Sequence, residues 1–497
     1  MVEKDGSGQR SRSEAPGKAS RGSGSSRQAE LGQFFTPDPI AQFMARMFAP
    51  SIEPVRLLDA GAGEGRLLQA FVRLWREYGH QGSISVDAFE IDEQLLGPLE
   101  AGRRLLRTRP QSNIAIVLGD FIRVGVERLQ TGTGPGYTHA ILNPPYRKIH
   151  SRSEHRLLLR QIGLETGNLY SGFVGLALAL LASGGELVAL LPRSFCNGPY
   201  FERFRRFLLA QAALQQIHLF HARDQAFREE RVLQENIIIR LTKGAVQGPV
   251  KVSTSSDALF SDYAEVFHPF ETIVRPEDRH GFIHVPTGEA ADPLAFPVFR
   301  FRLEELALSV STGPVMDYRI REEICVEPEP GTVPLLYPAH FGAQGLRWPK
   351  PGSKKPNAIR CNERTRKWLL PKGYYTLVRR FSAKEERRRI VAQVLDPEKL
   401  PGETLGIEND FNVFHVGKQP LERRLAHGLA TYLNSTAVDE SFRRFNGHTQ
   451  VNASDLRALR YPSREILLEL GDWAIRSLSG HQQAIDQEID HLRLRQD

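Results

Sequence analysis

Two kinds of apolar pattern alternate in the first half of the chain. Short apolar runs bounded by turn residues predict strands at residues 55–58, 84–89, 114–118, 139–142, 186–191, 214–220 and 236–242. Apolar residues with the period of an amphipathic helix lie between several of these runs, at residues 65–78, 93–106 and 170–181. Strands that alternate with helices predict an α/β fold with an open, mostly parallel sheet and helices on both faces.

Composition changes at two places and divides the chain into three parts. Residues 1–30 are mostly Gly, Ser, Arg and Gln, and they hold too little apolar surface to fold, so we expect a disordered tail. Residues 31–245 contain the alternating strands and helices and form the first predicted domain. The second, residues 246–497, starts within a linker-like stretch at residues 244–257. It continues with frequent Pro and Gly, short β-like runs and terminal helices, which indicates a mixed α+β domain.

Positive charge is concentrated in one segment. The net charge is +7, but residues 347–389 hold 15 Lys and Arg against three Glu, which gives +12 there and −5 elsewhere. Aromatic residues lie between these cations, as on surfaces that bind polyanions. We therefore expect this segment to bind nucleic acid, with Lys354, Lys355, Arg379 and Arg380 as candidate contacts.

The remaining composition excludes several classes of protein. The longest apolar stretch, residues 172–182, is too short to span a bilayer. Cys196, Cys325 and Cys361 lie far apart, which excludes a disulfide framework and the paired spacing of zinc modules. The first ten residues contain no apolar signal segment. Together these features predict a cytoplasmic protein that binds neither membrane nor structural metal.

Three acidic residues follow three successive predicted strands. Asp59 opens a turn that contains Gly61 and Gly63, Glu90 ends the next strand, and Asp120 follows the third. Glycines allow close approach of backbone to a ligand, and ligands of open α/β sheets bind at this edge. A carboxylate after the second strand can accept hydrogen bonds from ribose hydroxyls. The pattern predicts a site for a dinucleotide or for S-adenosylmethionine.

The tetrapeptide Asn-Pro-Pro-Tyr, residues 143–146, follows the fourth predicted strand. Pro144 and Pro145 lack backbone N–H groups and fix φ, so the Pro144 carbonyl is left to accept a hydrogen bond. The carboxamide oxygen of Asn143 is a second acceptor. Two acceptors beside the ring of Tyr146 suit an exocyclic NH₂ group on a planar ring. Held in this way, the nitrogen keeps its lone pair for attack on a methyl group, which predicts an amino-group methyltransferase.

Five segments in this order resemble the N6-adenine DNA methyltransferases of restriction–modification systems, specifically the gamma, TaqI-like class: QFFTP (33–37), DAGAGEG (59–65), FEID (89–92), GDF (119–121) and NPPY (143–146). The resemblance covers residues 31–245, and residues 445–452 are similar to those of PstI/BsuBI-like enzymes. It implies a Rossmann-like class I methyltransferase domain followed by a target-recognition domain. It also implies S-adenosylmethionine as cofactor and double-stranded DNA as substrate.

The resemblance further implies roles for individual residues. The cofactor would contact Thr36, Pro37, Asp59, Gly61, Gly63, Glu90, Ile91, Asp120 and Phe121. The target adenine would contact Asn143, Pro144, Pro145, Tyr146 and Phe201. In this scheme Glu90 holds the ribose, and Asp120 accepts a hydrogen bond from the cofactor's adenine. Tyr146 and Phe201 would stack on the two faces of a flipped base.

Other interpretations are left open by the sequence. Methyltransferases of RNA or of protein amides also use NPPY, although the QFFTP entry and the long C-terminal extension favour DNA. A dehydrogenase would explain the glycine turn but not residues 143–146. A methyltransferase fused to a nuclease, or a silent DNA-binding protein, is a third class. The recognition sequence and a separate cognate endonuclease are also open, although the amides of Gln450 and Asn452 are of a type that reads adenine. We expect a monomer, because a base-flipping enzyme modifies one strand per visit.

Overall fold

The computed structural model describes residues 35–106, 112–134, 136–220, 235–287, 292–342, 345–382, 386–447, 449–477 and 481–494. The predicted disordered tail at residues 1–30 lies outside these ranges. The helices are α1 (Asp38–Arg46), α2 (Arg66–Glu77), α3 (Leu96–Leu106), α4 (Phe121–Thr131), α5 (Glu154–Gln161), α6 (Leu169–Leu180), α7 (Glu202–Gln211), α8 (Phe270–Ile273), α9 (Arg423–Leu433), α10 (Thr436–Phe445), α11 (Ala453–Ala458), α12 (Arg464–Arg476) and α13 (Gln482–Leu494).

The first half is built on strands β1 (Val55–Ala60), β2 (Ile84–Glu90), β3 (Ser112–Leu118), β4 (Tyr137–Leu142), β5 (Leu181–Pro192), β6 (Ala212–Phe220), β7 (Asn236–Lys243), β8 (Val250–Ser255) and β9 (Ala264–His268). They form one sheet in the order β3-β2-β1-β4-β5-β7-β6-β8-β9. Strands β1 to β5 are parallel, and β7 runs antiparallel to both β5 and β6. The order reverses between β1 and β4, which is the point where open α/β sheets bind ligands.

Helices cover both faces of this sheet, as the sequence predicts. In β1, Leu58 packs in a core that contains Ile122 of α4 and Val174 of α6. Its neighbour Leu57 packs in a different core, which contains Met44 of α1. Successive side chains of a strand point to opposite faces, so the apolar run in β1 supplies both cores.

The sheet extends past the domain boundary predicted at residue 245. Strand β8 pairs in parallel with β6, from Gln216 beside Lys251 to Phe220 beside Ser255. Residues 250–255 of the linker predicted at residues 244–257 therefore form a strand of the sheet instead. Its serines have a structural role, because the hydroxyls of Ser253 and Ser255 lie 3.0 and 3.2 Å from the two ring nitrogens of the buried His218.

The second half is mixed α+β, as predicted. Its strands are β10 (Ser309–Thr312), β11 (Ile324–Cys325), β12 (Thr332–Leu336), β13 (Phe341–Gly342), β14 (Gly345–Leu346), β15 (Ala358–Arg360), β16 (Leu369–Pro371), β17 (Tyr375–Arg379), β18 (Ala392–Leu395), β19 (Thr404–Ile407) and β20 (Phe411–His415). They form sheets β10-β20-β17-β18 and β11-β15-β12-β19-β16 and the hairpin β13-β14. Within the described ranges, no helix combines the length and apolar character needed to cross a membrane.

The loop after β5 joins the two halves. The guanidinium of the buried Arg193 pairs with Glu235 at 2.7 Å, and it also donates to the backbone carbonyls of Arg443 and Arg444 at 2.8 and 2.7 Å. Gly447 lies directly against Arg193, since a Cβ at this glycine would be 2.9 Å from the Arg193 Cβ. The C-terminal end of α10 is thereby fixed to the methyltransferase-like sheet.

Helices α9 and α12 cross with their backbones in contact. A Cβ on Gly428 would lie 1.7 Å from the carbonyl oxygen of Leu467, and a Cβ on Gly471 would lie 1.9 Å from that of Arg424. Beside the crossing, the guanidinium of Arg424 donates to the carboxylate of Asp472 at 2.6 Å. Only glycine permits this approach, because the atom met by a Cβ is backbone and cannot move aside.

We predict that Gly428→Ala lowers the free energy of unfolding by about 1–3 kcal/mol or more, since overpacking forces the two helices apart. Gly97→Ala in α3 is the matched control, because the space around its Cβ position is open. That change should be neutral or should stabilise by about 0.4–1 kcal/mol. Urea unfolding measures both, and equal midpoints for the two variants would contradict the prediction.

Candidate active site

A cavity opens at the carboxyl ends of β1 to β4, beside the point where the strand order reverses. It is lined by Phe35, Gly61, Gly63, Phe89, Glu90, Ile91, Gly119, Asp120, Phe121, Asn143, Pro145, Arg147, His155, Leu169 and Phe173. The fold thus brings together most of the residues that the sequence assigns to the cofactor, and it places two members of the NPPY tetrapeptide at the same cavity.

The glycine turn after β1 is tied to the end of β2. Gly61 and Gly63 have φ of +80° and +56°, a left-handed conformation that other residues rarely adopt. The Gly63 amide donates to a carboxylate oxygen of Glu90 at 2.7 Å, and the other oxygen accepts from the amides of Ile91 and Asp92 at 2.9 and 2.8 Å. Glu90 therefore fixes the turn and also lines the cavity, as its predicted ribose contact requires.

Asp59 lies beneath the turn and does not line the cavity. It is completely buried, and within the described ranges neither carboxylate oxygen has a hydrogen-bond partner. Burial raises the pKa of Asp59 to about 7, an effect that the nearby amide of Leu68 reduces and the charge of Glu90 increases. The structure therefore buries this side chain in the sheet and does not place it in the wall of the cavity.

The next wall of the cavity is apolar. Ile91 is 53% exposed there, which is unusual for so large an apolar side chain. Aromatic rings complete this wall. Phe121 packs against Phe89 and Phe173, with ring centroids 5.1 Å apart in both pairs. These side chains form a surface suited to a planar ring such as adenine.

Asp120 stands beside this apolar wall and is held by a residue that sequence reasoning missed. One carboxylate oxygen accepts from the amides of Ile122 and Arg123 at 2.9 and 3.4 Å, which caps α4. The other is hydrogen-bonded to Nε2 of His155, from α5. Burial alone would raise the pKa of Asp120, but the hydrogen bond and charge of His155, together with the amides of Arg123 and Ile122, leave that pKa below the ordinary value. Asp120 raises the pKa of His155 in return.

The QFFTP and NPPY segments meet at the side of the cavity. The Asn143 amide nitrogen donates to the hydroxyl of Thr36 at 3.0 Å, and the Asn143 oxygen lies 3.3 Å from the hydroxyl of Tyr146. The same hydroxyl also lies 3.4 Å from the Leu190 carbonyl. These contacts orient the Asn143 amide, with its nitrogen toward Thr36 and its oxygen toward Tyr146. Pro37 occupies the position just before α1 and is not part of the cavity lining.

Phe201 is not placed opposite Tyr146 in this structure. It is only 6% exposed, and its ring packs on that of Tyr170 at 5.6 Å. Tyr170 in turn lies 6.0 Å from Tyr146. The two rings predicted to enclose a base are therefore linked through a third ring, while the neighbouring Tyr200 is 56% exposed.

Part of the predicted basic segment is used inside the protein. Lys355 pairs with Asp410 at 3.6 Å, and Arg379 forms an ion pair with Glu386. Arg380 donates to the Asn409 carbonyl at 3.2 Å and to Gln450 at 3.4 Å. Lys354 is exposed. Of the four predicted contacts, the exposed Lys354 is thus the best candidate to bind a phosphate.

The amide of Asn452 has a structural partner. Asn452 and Asp455 form a reciprocal capping box at the start of α11, in which each side chain accepts from the other's backbone amide. This contact accounts for the side chain without a base. Gln450, the second amide considered from the sequence, accepts from Arg380.

A second cavity, of about 450 Å³, carries positive charge that the sequence did not indicate. Its lining includes Arg275, Arg279, Arg300, Arg302, Arg457, Arg460, His280 and His284, against Glu277, Asp278 and Glu304. These residues come from segments separated by more than 150 positions, and the chain outside residues 347–389 is net negative. No local count of charge could have found this cluster.

Comparisons with known proteins bear directly on the resemblance. A family model described as "Eco57I restriction-modification methylase" matches residues 112–227. Type II methyltransferase M.BsuBI of Bacillus subtilis is 48% identical over 477 residues, which cover 94% of this chain and 95% of that protein. Type II methyltransferase M.PstI of Providencia stuartii is 43% identical over 454 residues, 90% of this chain and 89% of that protein. This chain belongs to the family of type II methyltransferases.

The family confirms the resemblance to the DNA methyltransferases of restriction–modification systems. The chain is a DNA methyltransferase of a restriction–modification system, and S-adenosylmethionine is its cofactor. A cryo-EM structure of a DrdV–DNA complex shares its fold, with a TM-score of 0.53 and 13% sequence identity over 91% of this chain and 58% of that one. The class I methyltransferase fold predicted from the sequence is thus confirmed.

Several cavity residues of this methyltransferase were not among the predicted contacts. Phe35 lies within the QFFTP segment at residues 33–37, so its position gave a signal, and Phe173 lies within the helix predicted at residues 170–181. Arg147 follows NPPY directly. His155 gave no signal, since only the packing of α5 brings it to Asp120.

We predict that Asp59 makes stability fall as the pH rises. Its pKa of about 7 in the folded protein exceeds the ~3.9 of an ordinary aspartate, so the charged form disfavours folding between these values. Asp59→Asn removes this dependence, and its urea midpoint relative to the cofactor-free parent should rise from pH 5 to pH 8. Asp38→Asn, at a side chain 75% exposed, is the control and should show no trend. A constant difference for Asp59→Asn would refute the assignment.

Proposed function

We propose that this methyltransferase transfers the methyl group of S-adenosylmethionine to N6 of an adenine flipped out of duplex DNA. The observation that carries the proposal is the orientation of Asn143. Thr36 accepts from its amide nitrogen, so the amide oxygen is left on the side of Tyr146, at the edge of the cofactor cavity. An acceptor beside an aromatic ring matches an amino group on a planar base.

The cavity residues fit S-adenosylmethionine, which supplies the methyl group when bound. In our proposal Glu90 accepts hydrogen bonds from the ribose hydroxyls, and its three amide contacts keep it in place. Ile91 and Phe121 pack on the adenine of the cofactor, and Asp120 accepts from its amino group. The turn at Gly61 and Gly63 gives the methionine end close access to backbone.

The target base is held by residues that bind no cofactor in this scheme. Asn143 Oδ1 and the Pro144 carbonyl accept the two hydrogens of the adenine amino group, while Tyr146 stacks on the ring. The nitrogen then forms a bond to the methyl carbon as the carbon–sulfur bond breaks, and one amino proton leaves to solvent. Orientation of the two reactants can contribute ~7–11 kcal/mol to such a displacement.

Flipping the base costs a few kcal/mol. Stacking of a base on an aromatic side chain contributes roughly 1–3 kcal/mol, so contacts with Tyr146 and Phe201 would offset this cost. Phe201 is buried against Tyr170 in this structure. Our proposal therefore requires the loop before α7 to move, so that Phe201 can stack on the second face of the base.

DNA backbone contacts are proposed for two surfaces. The first is the exposed part of the basic segment, represented by Lys354. The second is the arginine-lined cavity, where Arg279 and Arg457 are exposed. Segment 278–284 of this cavity is fastened to the loop that follows β5, since Arg205 donates to the carbonyls of Phe195 and Gly281 at 3.0 Å each. Action as a monomer and a separate cognate endonuclease stay predictions.

We predict that Asn143→Ala abolishes methylation of duplex DNA but leaves the affinity for S-adenosylhomocysteine within about twofold. The reason is that the amide faces the target base, while the cofactor is held by Glu90, Ile91 and Asp120. Transfer from tritiated S-adenosylmethionine, followed by digestion of the DNA to nucleosides, measures the reaction and should place the label of the parent enzyme in N6-methyladenine.

Asn113→Ala, at an exposed position of β3, is the matched control and should keep full activity. Label in methylcytosine would overturn the proposed target atom. Equal losses of turnover and cofactor affinity in Asn143→Ala would assign Asn143 to the cofactor instead.

We predict that Lys354→Gln and Arg279→Gln each weaken DNA binding and reduce the slope of log affinity against log salt by about 0.9, the value for one phosphate contact on duplex DNA. Lys251→Gln is the control, since Lys251 pairs with Glu265 at 3.1 Å beside the sheet's last strand. Fluorescence anisotropy over a salt series gives the slopes. A surface whose variant keeps the slope of the parent makes no phosphate contact.

A further inference from the structure

The most informative contact that the sequence did not predict is the one between His155 and Asp120. His155 comes from α5, an element with no part in the sequence-based model of the site, yet its ring lines the cofactor cavity together with Asp120. Nε2 of His155 is hydrogen-bonded to one carboxylate oxygen of Asp120, and both side chains are partly exposed to the cavity, at 34% and 25%. A contact of this kind in a binding cavity calls for a role beyond support of the fold.

The geometry leaves Asp120 little freedom. One oxygen accepts from two amides at the start of α4, and the other is bonded to His155. A carboxylate has about four lone-pair positions, so capacity for a further donor remains. Three donors from two helices hold the plane of the carboxylate, so the direction of that remaining capacity is set before any ligand binds.

We propose that His155 is a positioning residue for the adenine end of the cofactor: it holds the Asp120 carboxylate in one orientation and in its charged form, ready to accept the adenine amino group. The inference rests on the cofactor assignment within the proposed function, but it is independent of the target base. It adds a residue to the site from helix α5 and gives the cavity a means of selecting an amino group over a carbonyl at this position of the purine.

The charges around His155 agree with this role. Asp120 raises the pKa of His155, with Glu154 adding to the effect, while burial and the nearby Arg147 act in the opposite direction. Glu154 is itself paired with Arg123 at 2.8 Å. For Asp120, burial favours the neutral acid, and His155 is the main influence that reverses this. Without His155, the pKa of Asp120 should therefore rise, and the carboxylate should become protonated at a higher pH.

The test measures binding alone, by isothermal titration calorimetry on the full-length protein, with S-adenosylhomocysteine and its deaminated analogue S-inosylhomocysteine as probes. The analogue carries a carbonyl oxygen where adenine carries the amino group. The parent should prefer S-adenosylhomocysteine, and its affinity should not fall from pH 8 to pH 5, because Asp120 keeps its charge over this range while His155, with its raised pKa, gains a proton and remains a donor to it.

His155→Ala should weaken binding of S-adenosylhomocysteine roughly tenfold at pH 7.5, as expected for loss of a hydrogen bond that fixes a charged group. The deficit relative to the parent should grow toward pH 5, since falling pH now protonates Asp120. The ratio of the affinities for S-adenosylhomocysteine and S-inosylhomocysteine should also be smaller in this variant than in the parent. His155→Gln, which keeps an N–H donor, should recover affinity at pH 7.5 but not the parental profile at low pH.

Two further variants separate this role from a general effect on folding. Asp120→Asn keeps a side-chain oxygen able to cap α4, and adding His155→Ala to it should cause no further loss of affinity, because the two residues act as a unit. His491→Ala, at a side chain 70% exposed on α13, should match the parent throughout.

Parental affinity and pH profile in His155→Ala would overturn the proposal, as would an unchanged preference between the two probes. Either result would leave the outcome for Asn143 untouched. Conversely, methylation at an atom other than N6 would refute the proposed target without altering the binding data for His155.

Discussion

The active site depends on one carboxylate. Glu90 ends β2, yet its oxygens accept from the amide of Gly63 in the turn after β1 and from the amides of Ile91 and Asp92 that follow it. These bonds fix the relative height of two adjacent strand ends and keep Gly63 in a left-handed conformation. The cavity floor, the approach of backbone to a cofactor and the exposure of Ile91 all follow from that arrangement.

The residues that the structure brings to the predicted cavity are mainly those whose place is fixed by the end of a strand. A parallel sheet places strand ends at one edge, so Glu90, Asp120 and Asn143 could be expected to meet there once the strands were found. The glycines could be expected because a tight turn needs them. Thr36 was assigned to the cofactor through family resemblance, and the structure shows a different contact, a hydrogen bond from Asn143.

What the sequence could not provide arises from contacts between distant segments. Ser253 and Ser255 resemble linker residues because serine is usually exposed, and only the neighbouring strand shows that they serve the buried His218. His155 lies on a helix whose pattern says nothing of a ligand. The arginine-lined cavity combines segments that are far apart in sequence. In the basic segment, by contrast, Lys355 and Arg379 form ion pairs within the protein. Charge counted along the chain is therefore a poor guide to charge on the surface.

The joint at Arg193 has a consequence for how such enzymes diverge. Arg193 grips the second half through the backbone carbonyls of Arg443 and Arg444, and Gly447 offers it no side chain at all. Backbone carbonyls are present whatever the residue, so these two contacts place no demand on the side chains at positions 443 and 444. Substitutions at these two positions can therefore accumulate while the second half stays fixed to the loop that follows β5.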